Sequence, residues 1–362
     1  MPVESYLPLP TQVEDVTPAW LTAALRQRAP EATVRGFELV KSEYATCTKL
    51  WLRLDLDEAG KHAGIPERVV LKGGFEDHSR EYYVMHEREA RGYNEVFPIA
   101  PLPHPDCFFA DFDRDQKQGI VIMEDLATRG VTFPNIFQPQ SFDQVAARLT
   151  ALARFHAGTW KSPEIGPGGM WSDIVFFDSF DALFRKYSQP DWWQARITLP
   201  RGAAMSLRFH DRAWMIDAYG KMVKLAHSLP QCVLHCDTHL GNTYVYPDGS
   251  PGFLDIVAGT GPAMLEVAYH ISTSVDIADR AEWEEALVRH YLDELARYIG
   301  DVPPIDQAMR HYSIFLIYGY FAWLKNEPHH QIEPIATAVT SRINAAMLDR
   351  DVIGLIREFP SI

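Results

Sequence analysis

The chain lacks any cluster of basic residues. Its 362 residues include 34 lysines and arginines against 48 aspartates and glutamates, for a net charge of −14. The electrostatic footprint of a nucleic-acid binder is therefore missing. Long apolar runs are scarce too. The longest, YSIFLIYGYFAWL from Tyr312 to Leu324, falls short of the roughly 20 residues that a membrane-spanning helix requires. It reads as a buried helix, with no membrane as partner. The opening MPVESYLPLPTQVED has acids and prolines where a secretory signal needs a basic start and an apolar stretch, which predicts a cytoplasmic protein. Cysteines are few, at 47, 107, 232 and 236. With no second pair to complete four ligands, Cys232 and Cys236 are expected as reduced thiols and not as zinc ligands. Neither internal repeats nor low-complexity segments occur.

What the chain does have is apolar content of 47%, enough for a substantial core. Thr17 and Pro18 in VTPAWLTAALRQR supply an N-cap and a first helical residue, predicting a helix to about Arg28. VRGFELV, KLWLRLDLD and ERVVLKG then alternate apolar and polar residues, the two-residue period of half-buried antiparallel strands. HSREYYVMHEREARGYNEVF reads as one helix ending before Pro98, and DCFFADFD and GIVIMED as two further strands. From Ser141, which forms a capping box with Gln144, helical periodicity takes over: Val145, Leu149, Leu152 and His156 share a face. The exceptions are residues 161–203, rich in Pro, Gly and Trp, and a hairpin in which TYVY and FLDI flank the turn PDGSPG.

Directly before that hairpin stands HCDTHLGN, His235 to Asn242. Asp237 precedes Asn242 by five residues, and Asp255 follows thirteen beyond at the end of a short strand. Phosphoryl transfer needs a carboxylate that orients and deprotonates the attacking hydroxyl, and oxygen ligands that hold magnesium on nucleotide phosphates. A loop bearing Asp and Asn, followed by a hairpin that returns a second Asp, supplies these groups, and protein kinases use the same H-x-D-x-x-x-x-N spacing. A metal-hydrolase reading, with His235, Asp237 and His239 as ligands, competes but leaves Lys72 and the Asp255 hairpin unused.

On these residues the sequence resembles the aminoglycoside phosphotransferase and choline kinase family of small-molecule kinases, and within it the ecdysteroid-kinase-like branch. The family loop H-G-D-x-H-x-x-N is matched by His235, Asp237, His239 and Asn242. The resemblance implies an α+β, protein-kinase-like two-lobed fold. A small N-lobe, residues 1–124, has an antiparallel sheet and one helix, and a large, mostly helical C-lobe spans 125–362. It implies ATP or GTP as phosphate donor with Mg2+, Asp237 as catalytic base, and Asn242 and Asp255 as magnesium ligands. It further implies Lys72 of VVLKGG on the nucleotide phosphates, its partner glutamate in HEREARGY, and Met123, Glu124 and Asp125 at the hinge that holds the base. Glu87 and Glu89 lie roughly 200° apart on a helix, so only one faces the sheet; the family's spacing to a tyrosine, here Tyr93, favours Glu89. The loop SEYATCTK has no glycine to cover the phosphates, and by resemblance to the branch Ser42, Thr46 and Thr48 stand in for it. Glu266 occupies a position where the family usually has Asp, as a structural partner of the catalytic loop.

The resemblance implies a small-molecule hydroxyl as acceptor. Trp160, Trp171, Phe176, Phe177, Trp192 and Trp193 read either as core or as an apolar wall of the acceptor site. An apolar or aromatic alcohol is expected, by analogy with the branch. The alternatives are an aminoglycoside or other amino alcohol, or a pseudokinase that binds nucleotide without transfer.

Overall fold

Alternation builds the sheet. In the computed structural model, which describes residues 7–327 and 330–359, five antiparallel strands take the order β1-β2-β3-β5-β4. They are β1 (Val34–Tyr44), β2 (Thr48–Leu56), β3 (Arg68–Gly73), β4 (Cys107–Asp113) and β5 (Gln118–Glu124). Residues directly opposite in antiparallel register share a face. Leu50 pairs with Leu71 and Leu71 with Ile122, and this face joins Leu21 and Leu25 of the helix Pro18–Leu25 in one core. On the other face Lys49 pairs with Lys72, Trp51 with Val70, and Val70 with Met123. The first half of MPVESYLPLPTQVED lies outside the described residues.

The chain divides into two compact units. The first comprises residues 1–98, 103–132 and 254–258; the second comprises 99–102, 133–253 and 259–362. Asp255 thus belongs to the unit that holds the sheet, although in sequence it follows the catalytic-loop segment. The single helix expected over 78–97 is three pieces: a 3-10 turn (Asp77–Tyr82), an α-helix (Tyr83–Arg91) and a π-helical turn (Gly92–Val96). Gly92 explains the change of pitch. A Cβ there would stand 2.6 Å from Ile256 Cγ2, so the missing side chain lets the segment after Asp255 pack against this turn.

The second unit is mostly helical. The helix Phe142–Gly158 starts on the Ser141–Gln144 capping box. Ala263–Ser274 is buried at every position, and so is the stretch Tyr312–Leu324 within the helix Ile305–Leu324. Among the described residues no helix is long and apolar enough to cross a membrane. The segment 161–203 corrects its sequence reading, for it contains helices Phe176–Tyr187, Pro190–Ile197 and Pro200–Ala203. Pro190 and Pro200 sit in the first turn of their helices, where proline is tolerated, and Phe176, Phe180, Phe184 and Tyr187 form a buried helical stripe. Trp171, Phe177 and Trp193 are buried as well, and these rings serve as core.

Candidate active site

In the first unit, four charged side chains meet. Lys72 Nζ lies 2.6 Å from Glu89 Oε2 and 3.0 Å from Asp255 Oδ1, and Lys49 Nζ lies 3.2 Å from Asp255 Oδ2. Lys49 is brought there by sheet register, directly across from Lys72. Of the two glutamates only Glu89 reaches Lys72. Glu87 turns the other way to Arg114, at 2.6 Å, as the helical period requires.

Burial works against ionising Asp255, but Lys49 and then Lys72 outweigh it and hold the carboxyl far below the usual carboxylate range. Burial likewise opposes the Lys72 charge, and Asp255 and Glu89 overcome it, so Lys72 stays protonated. Asp255 raises Lys49 in the same way. Glu89 is raised by burial, with Lys72 opposing. Cys47 is pushed up to about 11 by burial, with the two lysines pulling against it, so it is a neutral thiol at neutral pH. Asp255 has φ 56, a left-handed conformation beyond the strand Pro251–Phe253. The strand therefore ends earlier than FLDI suggested.

The hydroxyls expected at the phosphates are differently placed. Thr48 pairs with Gly73, one step from the Lys49–Lys72 pair, and its fully buried hydroxyl shares the core face with Leu50. Ser42 pairs with Leu50, which puts it on that face too. Alternation therefore points both away from Lys49 and Lys72. Thr46 lies in the turn, where its carbonyl accepts the Ser79 hydroxyl at 3.0 Å. Met123 lies on the Lys72 face, paired with Val70. The Glu124 carboxylate accepts the Asp106 N–H at 2.9 Å and pairs with Arg129 at 2.6 Å. Asp125 pairs with Arg68 at 2.7 Å and caps the next turn through the Ala127 N–H.

In the second unit, the strand Cys232–Leu234 pairs with Gly259–Gly261 and delivers the loop; Thr243–Val245 then pairs with Pro251–Phe253. Asp237 Oδ2 accepts from Asn242 Nδ2 at 2.9 Å, and the same amide also reaches the Asp237 carbonyl at 3.0 Å. Tyr269 donates its hydroxyl to Asp237 Oδ1 at 3.0 Å, and the Trp323 indole N–H donates to the Tyr269 oxygen, also at 3.0 Å. With its amide nitrogen on Asp237, Asn242 keeps its carbonyl oxygen as a potential ligand. Glu266 accepts the backbone N–H groups of His235 (3.1 Å) and Cys236 (2.7 Å). His156, fully buried, links Glu266 (2.8 Å) to the Tyr291 hydroxyl (2.8 Å). It is a satisfied core histidine that braces the loop from behind.

The loop backbone is bent to fit. Cys236, where the family motif has glycine, has φ 67, a conformation costly for a residue with a Cβ. The Tyr318 hydroxyl steadies it by donating to its carbonyl at 3.2 Å. His239 Nδ1 accepts the Gly241 N–H at 3.0 Å, and its Nε2 stands 3.7 Å from Asp237 Oδ2. His235 Nδ1 accepts the Asp237 N–H at 3.3 Å. Both histidines thus serve the loop, and among the described residues no trio of His, Cys, Asp or Glu is arranged to hold a metal ion. Lys325 is lowered to about 8 by burial, with Asp237 and Glu327 opposing and Arg196 assisting.

Sequence reasoning missed Lys49, Tyr269, Trp323 and Lys325. A signal existed for Lys49 alone, because the alternation of KLWLRLDLD sets it opposite the core leucines, as VVLKG does Lys72. Tyr269 reaches Asp237, and Trp323 reaches Tyr269, from elsewhere in the chain through packing that no local pattern announces.

The sequence profile of the phosphotransferase enzyme family matches residues 109–300, just over half of the chain. No curated protein matches the chain. Among solved structures, a Ralstonia eutropha protein classed as an aminoglycoside phosphotransferase is similar in fold at 13% identity, covering 92% of this chain and 97% of that one, with a TM-score of 0.50. A Plasmodium vivax ethanolamine kinase matches at 12% identity over 88% of this chain and 83% of its own, with a TM-score of 0.49. A choline/ethanolamine kinase family protein from Mesorhizobium loti matches at 14% identity over 93% and 98%, with a TM-score of 0.47. Identities this low speak to fold only, and the match is to the family as a whole, without a branch within it. The chain has an α+β, kinase-like fold and belongs to the phosphotransferase enzyme family.

Proposed function

We propose that the protein is a cytoplasmic kinase that transfers the γ-phosphoryl group of ATP or GTP to the hydroxyl of an apolar or aromatic alcohol. The observation that carries this reading is the Asp237 carboxylate, fixed on one oxygen by Asn242 and on the other by Tyr269. A carboxylate so oriented suits a general base for a hydroxyl, and alignment is the larger part of phosphoryl-transfer catalysis. The first unit is read as the nucleotide-binding part, the second as the part carrying the catalytic loop and acceptor site.

In this reading Lys72 and Lys49 meet the phosphates, and Glu89 holds Lys72 extended. Trp51, Val70 and Met123, on the same sheet face, offer an apolar bed for the base. Since the Glu124 and Asp125 side chains are already ion-paired, base recognition at that stretch falls to the backbone. The donor set fits magnesium, a hard cation that prefers oxygen ligands: Asp255 stays ionised and Asn242 has a carbonyl oxygen to give. Magnesium, when bound, supplies positive charge to the phosphate oxygens. Asp237 takes the acceptor's proton, while the two lysines spread the developing charge.

Calorimetric titration with ATP and magnesium, followed by a coupled assay of ADP release over a panel of alcohols, tests the reading. Asp255→Ala is expected to lose magnesium-dependent nucleotide binding. Binding that persists unchanged in this variant counts against its role, and binding without ADP release from any alcohol makes the protein a pseudokinase.

A further inference from the structure

Arg148, on the helix Phe142–Gly158, is 1% exposed, yet its hydrogen-bond partners are neutral. Its Nε donates to His270 Nε2 at 3.1 Å and its Nη2 to Gln140 Oε1 at 3.2 Å. Burial lowers the guanidinium to about 10 with no carboxylate opposing, so it stays ionised at neutral pH. A buried charge without a counter-ion is costly, and an apolar side chain of similar volume would fill the same place at less cost. Packing alone therefore gives no reason for an arginine here.

A guanidinium differs from an apolar chain in that it donates and never accepts. Facing it, His270 Nε2 must be unprotonated, so the single proton of the neutral ring sits on Nδ1. That nitrogen donates to the Thr238 carbonyl at 2.7 Å, and both His270 and Thr238 are fully buried. The imidazolium would set N–H against N–H and charge against charge at Arg148. The other tautomer would set donor against donor at Arg148 and lone pair against lone pair at Thr238.

Thr238 directly follows Asp237, and three successive carbonyls of this loop are each held by a side chain. Cys236 is held by the Tyr318 hydroxyl at 3.2 Å, Asp237 by the Asn242 amide at 3.0 Å, and Thr238 by His270. Tyrosine and asparagine keep their donors at neutral pH. Only the imidazole can move its proton or gain a second one, so only this hold needs another group to settle it.

We propose that Arg148 is a positioning residue: it locks His270 in the neutral Nδ1–H form and, through that ring, sets the Thr238 carbonyl and the loop that carries Asp237. Its effect on turnover rests on the reading of Asp237 as the base.

The test is nitrogen NMR at neutral pH on the full-length protein labelled at histidine, with signals assigned by substitution. His270 is expected as the Nδ1–H tautomer; the opposite tautomer or an imidazolium overturns the proposal. Loop position is read at His239, whose ring accepts the Gly241 N–H and stands 3.7 Å from Asp237. Arg148→Met should shift the His239 signals and lower acceptor-dependent ADP release by about tenfold, with affinity for ATP and magnesium unchanged. Arg148→Lys, still a pure donor, should return the His239 signals to their wild-type positions and turnover to within about threefold. Gln140→Met removes the other partner of the guanidinium without touching His270, and should leave the His239 signals in place. Unshifted His239 signals in Arg148→Met, no rescue by lysine, or an equal shift in Gln140→Met would make Arg148 a packing residue and overturn the proposal. Should Arg148→Met fail to fold, the wild-type tautomer, Arg148→Lys and Gln140→Met decide. Failure of the phosphotransferase reading looks different: the histidine signals behave as expected and no alcohol elicits ADP release.

Discussion

The Tyr269 hydroxyl donates to Asp237 Oδ1 at 3.0 Å while accepting from the Trp323 indole, so a chain of two buried donors ends on the proposed base. Together with Asn242 on the other oxygen, it leaves the carboxylate little rotational freedom. Tyr269→Phe is expected to lower kcat by about tenfold through misorientation, with the KM for nucleotide unchanged. Because the Trp323 N–H then loses a buried acceptor, stability should fall by about 1–3 kcal/mol. Steady-state kinetics and urea denaturation check the two halves, and a variant with unchanged kcat would reduce Tyr269 to packing.

At Cys236 the backbone adopts φ 67, which glycine accepts freely and other residues accept at a cost of roughly 1–2 kcal/mol. Cys236→Gly and Cys236→Ala both remove the thiol, but only the first relieves the backbone. The glycine variant should be the more stable of the two by about 1 kcal/mol. If alanine proves equal or better in chemical denaturation, the loop is not strained at this residue.

Gly92 lets Ile256 pack directly after Asp255, with only 2.6 Å available for a Cβ. Ile256 is buried and branched at Cβ, so it has little room to retreat. Gly92→Ala should cost about 1–3 kcal/mol by overpacking and weaken magnesium-dependent nucleotide binding by shifting the Asp255 segment. Thermal denaturation and calorimetry read these effects, and wild-type values for both would show that the turn adapts.

Two buried histidines predict acid sensitivity. His86 is lowered to about 4, chiefly by burial and then by Lys72. His270 is lowered to about 3 by burial and then by Arg148, which donates to its Nε2 at 3.1 Å. Both are neutral in the folded protein yet take up protons when unfolded, near pH 6.5. The unfolded state binds more protons below that pH, so stability is full above about 6.5 and falls as pH drops toward the folded values. Between pH 7.5 and 5 each histidine should remove about 2 kcal/mol. Urea midpoints at the two pH values measure this, and a flat profile would contradict the assignment of neutral buried rings.

Much of the fold and part of the candidate site were legible because they rest on local periodicity. The two-residue alternation located the strands, and the 3.6-residue period allowed only one of Glu87 and Glu89 to face Lys72. The spacing within HCDTHLGN set Asp237 beside Asn242, as one short turn requires. Where register decides which face a side chain takes, local reading says less. Ser42 and Thr48 carry suitable hydroxyls, but pairing with Leu50 and Gly73 turns them to the core face, while Lys49 shares the face of Lys72. Tyr269 and Trp323 were illegible for a further reason: the first reaches Asp237, and the second reaches Tyr269, through helix packing across tens of residues. In the segment 161–203 the density of Pro and Gly masked helices that begin on proline.

The most direct test concerns Asp237 itself. Asp237→Ala removes the carboxylate held by Asn242 and Tyr269 but leaves Lys49, Lys72, Glu89 and Asp255 in the other unit untouched. With an alcohol that the wild type phosphorylates, acceptor-dependent ADP release is expected to fall by at least about a thousandfold, while calorimetry returns an unchanged affinity for ATP with magnesium. Turnover near the wild-type rate in a variant that still binds nucleotide would contradict the role of Asp237 as the base.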